Sequence, residues 1–262
     1  MEFEIGYVIA GLAVGFIVGM TGVGGGSLMT PILLYFNVPA TTAVGTDLLY
    51  AAITKAGGVV AHQKHKNIDW RITKILAVGS IPASLLTLLG MHYIGFTSGS
   101  VDSLIRTTLG VMLIFTAAVI IFKQPLMAFS HKRDFVLMRL PQRTRDIATV
   151  ITGLVLGVVV TVTSIGAGAL GTMALFMLYP LLSTSRLIGT EIAHAVPLTL
   201  IAGLGHAGFG NVDWHLLVNL LIGSLPGIYA GSHLTGAIPD KALRPALAVM
   251  LMYAGGKLVA VI

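Results

Sequence analysis

Long apolar runs separated by short polar breaks order this chain of 262 residues, and the order occurs twice. In the first half the apolar runs cover about 5–20, 28–36, 43–62, 72–91 and 101–122. In the second they cover about 145–163, 168–182, 186–207, 215–236 and 241–262. Those at 72–91, 101–122, 145–164, 186–207 and 215–236 are each near the roughly 20 residues that carry a helix across a hydrocarbon core of about 30 Å. Almost no charge interrupts them, whereas a helix on the surface of a soluble protein keeps a polar face. The run at 28–36 would make a helix only about 14 Å long at about 1.5 Å per residue, too short to cross. Each half is therefore expected to open with a short apolar pair around a glycine break, either spanning or re-entrant. Re-entrant pairs are tolerated where they are buried in protein or line a cavity.

The polar breaks repeat as well. Thr21-Gly22-Val23-Gly24-Gly25-Gly26 is answered by Thr163-Ser164-Ile165-Gly166-Ala167-Gly168. From Gly45 onward the correspondence holds at a constant offset of 144 residues. Gly45-Thr46-Asp47 returns as Gly189-Thr190-Glu191, and His62 returns as His206. Asn67-Ile68-Asp69-Trp70 returns as Asn211-Val212-Asp213-Trp214, and Gly79-Ser80-Ile81-Pro82 as Gly223-Ser224-Leu225-Pro226. The expected organisation is a membrane repeat over 1–122, a basic cytoplasmic linker over 123–144 and a second membrane repeat over 145–262. The fold class is an all-α polytopic membrane protein with two inverted-topology repeats, each a short glycine-broken hairpin plus about three spanning helices. Duplicated apolar units with glycine-interrupted segments at matching places are the mark of a secondary transporter, with the site where the repeats meet.

Composition agrees. Hydrophobic residues make up 55% and charged residues 10% of the chain, against about 25% charged in globular domains. The 32 glycines suit close helix approach in lipid. The absence of cysteine excludes disulfides and thiolate metal sites. The start, Met1-Glu2-Phe3-Glu4, lacks the basic region of a secretory signal, so the first apolar run is read as part of the mature protein.

The formal net charge of +6 comes from the loops and reports topology; no nucleic-acid partner follows from it. Lys64, Lys66, Arg71 and Lys74 cluster in one loop, and Lys123, Lys132, Arg133, Arg139, Arg143 and Arg145 fill the linker. Both groups belong on the cytoplasmic side. Inverted repeats put Arg186, Lys241 and Arg244 on that side too, whereas parallel repeats would put them outside. The linker is expected to hold an amphipathic surface helix around 128–140.

The candidate chemistry sits at the repeated breaks. A helix starting after a glycine break presents free N–H groups and a partial positive charge to an anion. Two such starts would hold a small dianion through Gly22, Gly24, Gly25, Gly26, Gly166 and Gly168, with hydroxyl donors Thr21, Ser27, Thr163 and Ser164. Thr46 and Thr190 join this substrate-binding set. The competing structural reading is tight helix crossing. Asp47 and Glu191 each open a long apolar segment. A carboxylate there marks an ion or proton pathway, or caps a helix start. Lys55 follows Asp47 by two turns and has Thr199 as its counterpart, which makes it an asymmetric cation for the site or a structural partner of Asp47 or Glu191. His62 and His206 are candidate proton relays, with an interfacial or hydrogen-bonding role as the alternative. Trp70 and Trp214 read as interface anchors. Glu191-Ile192-Ala193-His194 has a Glu-x-x-His spacing, but its counterpart is Asp47-Leu48-Leu49-Tyr50. A helical di-metal site needs a second copy, so no metal, cofactor or enzymatic activity is expected.

At Gly11-x3-Gly15-x3-Gly19-x2-Gly22-x-Gly24-Gly25-Gly26, followed by Pro31, Gly45-Thr46, Asp69-Trp70 and Gly79-Ser80-Ile81-Pro82, the chain resembles the sulfite exporter TauE/SafE family over essentially its whole length. The resemblance implies a multi-pass inner-membrane exporter of sulfite or small organosulfonates. The second repeat departs from the pattern, with Ser164 and Ala167 in place of Gly22 and Gly25. The expected function is export of a small sulfur-containing anion across the lipid bilayer by alternating access. A passive anion channel is the alternative, and a membrane-embedded enzyme the more distant one. Oligomeric state is not legible.

Overall fold

The computed structural model describes residues 4–21, 26–94, 99–130, 141–233 and 240–260. Among these residues there are ten helices and no strands. They are α1 (Ile5–Thr21), α2 (Gly26–Tyr35), α3 (Ala40–Lys64), α4 (Trp70–Ile94), α5 (Gly99–Ser130), α6 (Gln142–Thr163), α7 (Ala169–Leu178), α8 (Thr184–Gly208), α9 (Trp214–His233) and α10 (Asp240–Ala260). Each apolar run of the sequence is one helix. Helices α4 to α6, α8 and α9 are long and apolar enough to span a bilayer. The outward side chains Leu86, Phe115, Ile151, Leu204 and Tyr229 are exposed, as they are in a protein solvated by lipid. The molecule is an all-helical, multi-pass membrane protein.

One boundary differs from the sequence reading. Helix α5 continues through Pro125 to Ser130, so the first residues assigned to the linker extend the last helix of the first repeat. Proline is tolerated in such a helix when neighbours satisfy the freed carbonyl. Residues 131–140 of the expected surface helix lie outside the described residues.

The two repeats interlock by exchange. Helix α1 lies against α9, where Gly11, Gly15 and Gly19 meet the backbones of Leu220, Ser224 and Ile228. Gly223 and Gly227 return the contact to Val8 and Leu12. An added Cβ at any of these glycines would collide with main chain, so only glycine permits the approach. In the same way α6 lies against α4, with Gly153 and Gly157 on Leu76 and Ser80, and Gly79 on Val150. The residue order of these contacts makes both pairs parallel.

The central pair, α3 and α8, is antiparallel. Gly45 near the start of α3 abuts His206 and Asn211 at the end of α8, and Gly189 near the start of α8 abuts His62 and Asn67 at the end of α3. Helices α5 and α10 meet at Gly110 and Gly255, also in antiparallel order. The main apolar cluster gathers α2, α3, α5 and α10, with Met29, Leu33, Leu48, Leu109, Leu113 and Leu251 wholly or almost wholly buried. A smaller cluster, including Ile72, Leu76, Phe176 and Leu187, holds α4, α7 and α8 together.

Candidate functional site

Helix α6 ends at Thr163, whose hydroxyl donates to the Val159 carbonyl and accepts from the Ile165 N–H (3.1 Å). Ser164 then takes the left-handed conformation (φ 58°), and Gly166 and Gly168 follow at φ 113° and 148°. Such a path is strained for most side chains. The break therefore reverses the chain within five residues, and α7 starts inside the protein. Thr163, Ser164, Ile165 and Ala167 are all buried.

Three charged side chains converge here. Glu191 projects from α8 onto the first turn of α7, where its carboxyl packs against Gly171 and faces the Gly168 N–H. Asp47 on α3 accepts a hydrogen bond from the Thr30 hydroxyl of α2, and the Ser164 hydroxyl lies beside it. Lys55 crosses from α3 into the second repeat and donates its ammonium to the Ala167 carbonyl. Glu191 and Asp47 are the carboxylates near enough to act on its charge. All three are closed from solvent, with exposures of 0% for Asp47, 1% for Glu191 and 6% for Lys55. Isolated charges at such depth are expensive. One Asp47 oxygen, one Glu191 oxygen and the Ser164 hydroxyl lack a formed hydrogen bond, so the cluster retains capacity to bind.

The other sequence candidates divide. Thr46 and Thr190 do not supply hydroxyls to this cluster. Thr46 Oγ1 accepts from the Asp213 N–H (3.1 Å) and Thr190 Oγ1 from the Asp69 N–H (2.9 Å). Each pins the loop of the opposite repeat. His206 is fully buried and bonds the Thr161 carbonyl through Nε2 (2.9 Å), while its counterpart His62 is only partly buried, beside Gly189. The two histidines thus have unlike surroundings. Trp70 and Trp214 are half-exposed at the starts of α4 and α9. Gly22, Gly24 and Gly25 lie outside the described residues, as do the side chains of Thr21 and Ser27; α2 begins at Gly26.

Sequence reasoning passed over a second repeated pair. His194 Nε2 shares a hydrogen bond with the Ser80 hydroxyl (2.7 Å), one turn beyond Glu191. Their counterparts, Tyr50 on α3 and Ser224 on α9, likewise face each other across the two repeats. The signal was the serine in Gly79-Ser80-Ile81-Pro82 and Gly223-Ser224-Leu225-Pro226, read there only for its glycine and proline. Among the described residues no cluster of His, Asp and Glu has the geometry of a metal site.

A family model described as "Sulfite exporter TauE/SafE" matches residues 7–258. The chain is similar to "Probable membrane transporter protein YjnA" of Bacillus subtilis (strain 168), with 37% identity over 98% of this chain and 100% of that protein. It is similar to "Probable membrane transporter protein YdhB" of the same organism at 31% identity, covering 92% and 94% of the two chains. "Probable membrane transporter protein MJ0441" of Methanocaldococcus jannaschii is 28% identical over 93% of this chain and 91% of its own length. No solved structure matches the chain at a significant level.

Proposed function

Because the chain belongs to the sulfite exporter TauE/SafE family, we propose that it is a secondary carrier of the cell (inner) membrane that exports a small sulfur-containing anion, sulfite or an organosulfonate. The observation that carries this reading is Lys55: a buried cation from the first repeat reaches into the glycine break of the second, where it binds the Ala167 carbonyl. A charge held there without a paired carboxylate suits a site that receives an anion and releases it. Backbone N–H groups of the second break and the Ser164 hydroxyl complete the anion's surroundings, with Thr163 bracing the loop. The antiparallel order of α3 and α8, and of α5 and α10, supports repeats of inverted topology. The closed state of the cluster supports alternating access over an open channel.

With the basic loops cytoplasmic, an inside-negative potential favours anion exit by about 2.3 kcal/mol per charge per 100 mV. Asp47 and Glu191 are the groups placed to couple a proton to that movement. The activity is transport, with no catalytic step.

Uptake of isotope-labelled sulfite into proteoliposomes, with taurine and sulfoacetate as competitors, tests the reading. Saturable uptake that is lost in Gly24→Leu supports a site at the breaks. Trans-stimulation separates a carrier from a channel. If the intact protein moves none of these anions, the substrate class is wrong.

A further inference from the structure

Helix α8 carries a buried imidazole one turn beyond Glu191. His194 is 1% exposed, and its Nε2 shares a hydrogen bond of 2.7 Å with the Ser80 hydroxyl of α4. Its Nδ1 is buried as well and has no formed hydrogen bond. Lys55 of α3 is near enough for its charge to act on the ring. The other titratable groups are arranged around this pair. Glu191 precedes His194 on the same face of α8, and Asp47 and Tyr50 precede Lys55 on α3. His62 of α3 sits beside Gly189, near the start of α8. Helix α7 has no titratable side chain, and those of α4 and α6 lie near their ends.

Tyr50 and Ser224 hold the corresponding places in the repeat. A phenol there keeps a hydroxyl for hydrogen bonding, whereas an imidazole can also carry a proton near neutral pH. Lys55 likewise stands where the second repeat has Thr199. The two departures from the repeat, lysine for threonine and histidine for tyrosine, therefore meet at one place between the repeats.

We infer that His194 is a further binding residue of the central site: an oxyanion seated beside Lys55 brings a proton onto His194, and Nδ1–H then donates to that anion. The inference rests on the anion-carrier reading and adds to it the group that balances the anion's charge. Two carboxylates, Asp47 and Glu191, already act on Lys55, so the cluster holds no spare cationic side chain among the described residues. An anion entering it needs a compensating proton. The proton comes from water while the site is open to the loading side. On a carboxyl that proton only removes a charge; on the imidazole it adds a cation with an N–H to offer. A protonated ring needs an acceptor at each nitrogen. The Ser80 hydroxyl can accept at Nε2, and the anion supplies the acceptor missing at Nδ1. Two cations buried together repel unless an anion lies with them, so proton and anion arrive together.

Calorimetric binding of ethanesulfonate to the protein in phosphatidylcholine nanodiscs tests the assignment, because this probe stays deprotonated near neutrality. Titrations in two buffers of different ionisation enthalpy count the protons exchanged. The wild type is expected to take up about one proton per anion bound, and to bind more tightly as pH falls through neutrality. His194→Gln, which can keep a bond to Ser80, should bind about tenfold more weakly and without proton uptake. His194→Tyr, which installs the residue of the first repeat, should behave the same way. Asp47→Asn and Glu191→Gln should each keep the uptake per anion bound, whatever they do to the rate of transport. Uptake that persists in both His194 variants, or that is lost in a carboxylate variant instead, overturns the inference. Wild-type binding with no proton exchange overturns it too and leaves the carrier reading standing. Absence of any ethanesulfonate binding overturns both.

Discussion

Asp47 and Glu191 occupy equivalent places in the two repeats, yet they are held differently. Glu191 is longer by one methylene and rests on the first turn of α7, where Gly171 leaves room for it. The position equivalent to Gly171 is Met29, a fully buried side chain of the apolar cluster. Asp47 instead binds the Thr30 hydroxyl. Lys55 has Thr199 as its counterpart, and Thr199 donates to the Ala195 carbonyl of its own helix (2.9 Å). The outer framework keeps its pairs in both copies: glycine against backbone in α1–α9 and α4–α6, Thr46 with Asp213, Thr190 with Asp69. Duplication thus preserves the scaffold, while the charged centre has diverged.

The largest effect is expected at the asymmetric cation. Lys55→Met should abolish anion uptake. Adding Glu191→Gln should not restore uptake, as read by flux on preparations whose melting is followed in parallel. If Lys55→Met transports normally, the comparison loses its centre.

Next come the symmetric glycines. Gly15→Leu and Gly157→Leu should each push apart a pair of helices, at Ser224 and Ser80, with similar losses of about 3 kcal/mol or more. Unequal losses in a melting series would show that the scaffold has diverged as well.

The carboxylates should then separate in function. Glu191→Gln is expected to change the pH profile of transport more than Asp47→Asn, because Glu191 rests on the first turn of α7, beside the glycine break. Proton coupling through either group is overturned if both variants keep the wild-type rate and pH dependence. Thr46→Val and Thr190→Val each leave a backbone N–H without its acceptor, and should cost a matching amount of about 1–2 kcal/mol. The smallest effect belongs to the exposed ion pair: Arg71→Gln should change unfolding stability by under about 1 kcal/mol.

Much of this was legible beforehand. Helices α1 to α10 follow the apolar runs closely, because in lipid a backbone must satisfy its own polar groups, and hydrophobic length then reports helix length. Lys55, Asp47 and Glu191 stood out because charge is rare in such runs. Thr46 and Thr190 were legible as repeated residues but not as loop anchors, since their partners Asp213 and Asp69 are more than a hundred residues away. The same distance hid the pairing of Ser80 with His194.

The sequence by itself determined the membrane class, the positions of the helices, the duplication and the odd residue out at Lys55. These follow from local composition and from comparing the chain with itself. Only the tertiary structure decided that each repeat lends its first helix to the fourth helix of the other, that Lys55 crosses between repeats to Ala167, and that Glu191 rests on the start of α7. Those contacts join segments far apart in the chain. No local pattern encodes them, because the glycines that allow close approach fit any partner whose backbone presents a complementary groove.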